Sequence, residues 1–128
     1  MARRNSFEII VEATEKAVNK AARRVALNVT AELRKDTPVD TGWARANWIP
    51  QLGSPFTGVD GARVRGAIST SAQAAGTAQA ASFNIKKDTL IFITNNVPYI
   101  KKLNAGSSQQ APALFIESAV ANAVNKSK

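Results

Sequence analysis

Hydrophobic and polar positions divide the chain into a long helical stretch, a middle of short mixed segments and a second helical stretch at the end. From about Ser6 to Lys35 there is neither Gly nor Pro, and Asn5 with Glu8 three residues on forms a capping box. At about 100° per residue, Phe7, Val11, Thr14, Val18, Ala22, Val25 and Val29 share one stripe, with Leu33 at its edge. Lys16, Lys20, Arg23 and Arg34 fall on the opposite side. This is an amphipathic helix with a basic back. Ile9 and Leu27 break the pattern, since both sit among the basic residues. A helix of about 30 residues is about 45 Å long, whereas a globule of this chain length is about 36 Å across. It must bend, break or project, and a projecting helix lies against something. Ile9 and Leu27 are therefore candidate contacts to a neighbouring subunit.

Thr37-Pro38 ends the helix, because the residue before proline is pushed out of the α region. Within residues 37 to 48, TPVDTGWARANW, Asp40 or Thr41 is placed to cap a short helical turn. Gly42 suggests close backbone approach or an unusual dihedral. Asn47 to Leu52 reads as a strand interrupted by Pro50, hence an edge or a strand end. Gly53 to Gly66 is rich in Gly, Pro, Ser and Arg, which predicts a mobile loop carrying Arg63 and Arg65 to a partner or to DNA. Residues 68 to 82 are small and Ala-rich and predict a helix, with Gly76 subtracting about 1 kcal/mol; a flexible low-complexity linker is the alternative.

Residues 83 to 95 carry the clearest β signal. Phe83 and Ile85 alternate with polar positions, Lys86-Lys87-Asp88 makes a turn, and Leu90 to Ile93 forms a buried strand. Val97 to Leu103 predicts a short helix with proline near its start. Asn104 to Gln110 reads as a polar loop, and Pro112 opens a last helix running to about Asn125. Together these predict one α+β domain over residues 1–128: a long N-terminal helix, a small antiparallel sheet, and shorter helices including a C-terminal one.

Composition then narrows the chemistry. With 128 residues, 45% hydrophobic and 20% charged, the chain is long enough for one core. No run approaches the ~18 apolar residues of a membrane span. Glu8, Glu12 and Glu15 interrupt what would be the apolar part of a signal peptide, which points to the cytoplasm. There is no cysteine and no histidine, which removes disulfides, thiol nucleophiles and the commonest base and metal ligand. The nine acidic residues are scattered, with no pair spaced for a divalent cation. Neither a catalytic residue, a cofactor nor a metal is expected, and the reading is of a protein that is not an enzyme. What remains is charge: 17 basic against 9 acidic residues, net +8, and an isoelectric point near 10.3. That balance suggests a polyanion or an acidic partner.

Two blocks of the sequence carry a family resemblance. TPVDTGWARANW, followed some fifty residues later by ITNNVPYIKKLNAGSSQQAPALFIESAV, resembles the neck and tail-completion proteins of long-tailed bacteriophages. The matching positions are Thr37, Pro38, Val39, Asp40, Thr41 and Gly42 with Arg45, then Asn95, Asn96, Pro98, Tyr99, Leu103 and Gly106. Gln110, Ala111, Pro112 and Phe115 complete them. The resemblance runs over about residues 5 to 125; Leu114 departs from it, standing where a glycine is frequent, and the Ala-rich insertion varies across the family. It implies a virion structural protein of the neck, present in the host cytoplasm during assembly. It further implies rings of six subunits that join the head connector, or head-completion protein, to the tail terminator or tail tube, with DNA passing non-specifically through the lumen. From the residues themselves, Asp40 and Thr41 are caps, Tyr99 a packed aromatic with a hydrogen-bonded tip, and Gly106 a turn residue. A small basic protein that binds DNA without sequence preference is the alternative, although no reading helix and no aromatic–basic interleaving supports it.

Overall fold

The first helix begins where the capping box places it. In the computed structural model, which describes residues 5–39, 42–62, 68–107 and 111–128, the Glu8 amide donates to Asn5 Oδ1 at 2.8 Å. The Asn5 amide donates back to Glu8 Oε2 at 3.3 Å. Helix α1 runs Ser6–Asp36 and stops at Thr37, which is extended (φ −72°, ψ 131°) ahead of Pro38. A single turn, α2 (Trp43–Ala46), follows, with Gly42 before it in the left-handed region at φ 84°. Strand β1 (Ile49–Leu52), helix α3 (Ser71–Ala81), strand β2 (Ile91–Thr94), helix α4 (Ile100–Asn104) and helix α5 (Phe115–Lys126) complete the described chain. The fold is the expected mixture, mostly helical, with a long N-terminal helix and a small antiparallel sheet.

That sheet pairs β1 with β2, Ile49 against Thr94 through Leu52 against Ile91. The expected hairpin between residues 83–85 and 90–93 does not form. Asn84, Ile85 and Lys86 give their amides instead to side chains of Asp88 (2.9 Å), Asn19 (2.7 Å) and Asn84 (3.0 Å). With those donors taken, the segment is a turn laid on α1 and not a strand. Pro50 costs β1 no ladder bond. Leu52, two residues on and pointing the same way, gives its amide to Gln79 of α3 at 3.2 Å. Helix α3 covers that edge, and Gly76 lets it approach closely: a Cβ there would lie 2.0 Å from the Pro50 carbonyl oxygen.

The core forms where the C-terminal half of α1 meets α5. Val29 and Leu33 pack with Trp48, Ala119 and Ala123. A second cluster joins Trp43, Ala44 and Val97. The stripe on α1 is therefore a core face only in part. Val29 and Leu33 are buried, yet Phe7 is 73% exposed, and Val11 and Val18 are exposed too. Chain length explains this, because the core covers only the C-terminal half of a 31-residue helix, and beside its first turns lies the turn that carries Lys86, 3.5 Å from Glu15. Arg23 also leaves its expected place on a solvated back and donates from Nε to the Phe83 carbonyl at 2.8 Å. Two shorter corrections concern later helices. Residues 97–99 are a turn before α4, and the last helix starts at Phe115, three residues beyond Pro112.

Candidate functional site

Thr37 is the centre of the first signature block. Almost fully buried, it donates from Oγ1 to the Leu33 carbonyl and accepts from Trp48 Nε1 at 2.7 Å. A hydroxyl that both gives and receives is satisfied in the core, and here it closes the C-terminus of α1. Arg45 reaches back from α2 and donates to the carbonyls of Thr37 at 3.0 Å and Lys35 at 3.3 Å. These carbonyls lie at the negative end of the α1 dipole, where a cation is favoured. Pro38 is half-buried and Gly42 adopts its left-handed conformation beside Ile68. Asp40 and Thr41, expected as caps, lie outside the described residues.

The second block closes on the first. Asn95 donates to the Ala44 carbonyl at 2.8 Å and accepts the Val97 amide at 3.1 Å. Asn96 holds the carbonyls of Phe56 and Gly58 at 2.8 and 3.0 Å. Tyr99 packs on Trp43, ring centres 6.0 Å apart and tilted by 54°. Pro98 is exposed in the turn before α4. Gly106 turns the chain at φ 95°, and a Cβ on it would meet Ala113 at 3.2 Å. Thr37, Pro38, Val39 and Arg45 then face Ala111, Pro112 and Phe115 across a shallow cleft of about 350 Å³ that Lys35 and Asp36 also line. Segments some seventy residues apart in sequence thus form one surface feature. Gln110 lies outside the described residues, as do Arg63 and Arg65.

Several connecting residues were not singled out from the sequence. Buried Asn47 accepts the Asp60 amide at 2.7 Å and donates to the Asp60 carbonyl at 3.2 Å. Trp43 Nε1 reaches the same carbonyl at 3.0 Å. Asp60 in turn accepts from the Ala72 amide at 3.0 Å and so caps α3, whose own Thr70 supplies no side-chain cap. The described part of the Gly53–Gly66 loop, expected to move freely until a partner orders it, is thereby hydrogen-bonded to the fold through Phe56, Gly58 and Asp60. Gln73, buried in α3, donates to the carbonyls of Arg45 and Trp48, each at 3.1 Å. Two amide side chains in an Ala-rich run, Gln73 and Gln79, were the available signal.

Of the two apolar residues on the basic side of α1, Ile9 is 51% exposed and Leu27 is half-buried. The larger apolar exposure lies on the stripe itself. Glu32 is the one buried carboxylate among the described residues, and it joins α1 to α5. Lys126 donates to one of its oxygens and Lys35 stands 2.9 Å from the other. Hydrogen bonds from Lys126 first, then Lys35, hold it below the ordinary 4.5. The described residues contain no cluster of His, Cys, Asp and Glu suited to a metal, and no described helix is long and apolar enough to cross a membrane. No family model, curated protein or solved structure matches the chain.

Proposed function

We propose that the chain is a virion structural protein of a long-tailed bacteriophage, joining the head connector to the tail as a ring of copies through which DNA passes. One observation carries the reading. The two blocks that resemble neck and tail-completion proteins, Thr37–Arg45 and Asn95–Phe115, meet in one hydrogen-bonded knot and line one cleft. Residues conserving a fold would be expected to lock together in this way, and so would residues shaping a docking face. The net charge of +8 suits a subunit set around DNA.

A phage in which this chain is disrupted by a stop codon tests the proposal. The expected result is filled heads and complete tails that fail to join, restored when the protein is supplied in trans. Purified wild-type particles should contain a handful of copies each, located at the neck by labelling. Normal joined particles from the disrupted phage, or hundreds of copies per particle, would overturn it.

A further inference from the structure

Positive charge gathers on one face of α1. Residues 16–35 hold six basic residues and one acidic residue, Glu32, a net of +5. At about 100° per residue, Lys16, Lys20, Arg24 and Arg34 fall within about 80° of arc, with Leu27 and Ala31 between them. All four cations are exposed. The ion pairs among the described residues engage Lys35, Lys86 and Lys126 and none of these four. Glu32 offsets little of the charge, because its carboxylate is buried and already shared by Lys35 and Lys126. Glu12, one turn ahead of Lys16, bounds the strip.

The neighbours of the strip extend it or leave it open. Along one border runs α5, where Asn28 donates to Ser127 Oγ at 2.9 Å, and this brings exposed Lys126 and Lys128 alongside. On the other border Arg23 is held by the Phe83 carbonyl. Arg23 and Asn28, side chains of the kind that read base edges, are thus engaged within the fold. Nor does the strip carry the apolar or aromatic centre around which protein interfaces are built. Leu27 is half-buried, and Ala17 and Ala31 are small. From Lys16 to Lys35 the strip is about 28 Å long, a length over which each strand of a duplex presents about eight phosphates.

We propose that this face of α1 is the surface that meets nucleic acid, and that its partner is the phosphate backbone of duplex DNA, bound without regard to sequence. Lys16, Lys20 and Arg24 make the contacts at one end, Arg34 and Lys35 at the other. Each neutralised phosphate releases counterions, so each contact adds about 0.9 to the dependence of log K on log salt. The proposal rests on the reading that DNA passes beside this chain, and it names the residues that face it.

Two charge-matched double variants of the full-length protein test it. Lys20→Gln with Arg24→Gln should weaken binding of a labelled duplex by about 10-fold and lower the salt dependence by roughly 2, with far-ultraviolet circular dichroism unchanged. Lys101→Gln with Lys102→Gln removes the same charge from exposed sites on α4. At about 0.1 M salt it should change affinity by no more than about 2-fold, because charges beyond about 10 Å are screened. The chain has no cysteine, so a photo-cross-linker can be placed on Ala31→Cys at the strip or on Val18→Cys on the opposite stripe. Only the first should capture DNA. Equal loss in the two double variants overturns the proposal, as does capture from Val18→Cys as strong as from Ala31→Cys. Preference among duplexes of unrelated sequence overturns it too. So does a parent protein without affinity for DNA, whose charge would then face an acidic protein. Each of these results leaves the neck reading to be decided separately by the phage with the stop codon.

Discussion

Leu114 holds a backbone conformation that branched and bulky residues avoid, φ 62° and ψ 31°. It is the one described non-glycine residue with positive φ. The position lies at the entry to α5, where a Cβ crowds the following carbonyl at a cost of about 1–2 kcal/mol. The side chain is 58% exposed, so it recovers little by burial. Asn104 does the capping from another helix: its carbonyl takes the Leu114 amide at 2.7 Å, its Oδ1 the Ile116 amide at 2.9 Å. Its amide nitrogen in turn donates to both Glu117 oxygens at 3.0 and 3.1 Å. Leu114→Gly should therefore stabilise the protein by about 0.5–1 kcal/mol, seen as a higher midpoint in urea with an unchanged slope.

Between elements, the contact of α3 with β1 reverses an ordinary expectation. Gly→Ala in a helix interior usually gains about 1 kcal/mol. At Gly76 the added methyl would fall 2.0 Å from the Pro50 carbonyl oxygen, and that atom belongs to a strand held by β2. Gly76→Ala should lose about 1–3 kcal/mol, and a gain in thermal midpoint would show that α3 does not sit this close. The α1–α5 junction has a pH dependence set by Glu32. Because its pKa is lowered when folded, its contribution is present above about pH 4.5 and disappears as pH falls through the folded value. Lys35, raised by the same pair, contributes below its ordinary range and loses that as pH rises through its folded value. Glu32→Gln should flatten the acid limb of the stability profile measured by urea unfolding from pH 6 to pH 2. An unchanged limb would mean that the pair forms equally in the unfolded chain.

For the whole molecule, charge predicts behaviour that no single residue does. A net +8 spread over helices and turns gives sequence-blind attraction to phosphate. Duplex DNA should bind with a Kd no tighter than about 10⁻⁴–10⁻⁶ M near physiological salt, and affinity should fall steeply as salt rises. Fluorescence anisotropy at two salt concentrations checks this. Negligible affinity at low salt would assign the charge to an acidic protein partner, and nanomolar, sequence-selective binding would favour a free-standing DNA-binding protein over a neck component.

Local signals were sufficient for the ends of α1, the turn at Gly42 and the edge position of Pro50. Each depends on a few neighbouring residues: a capping box, a proline, a glycine. The α+β class followed from the same local periodicities. Strand pairing did not, because β1 and β2 lie about forty residues apart and the alternation at Phe83 and Ile85 looks alike whether their amides meet a strand or the side chains of Asn19, Asn84 and Asp88. Nor could periodicity tell how far a partner element covers a stripe. Val29 and Leu33 share it with Phe7 and Val11, yet α5, Trp48 and Ile93 of β2 pack on the former pair. Burial is a property of what folds back onto a helix, and that is decided over the whole chain.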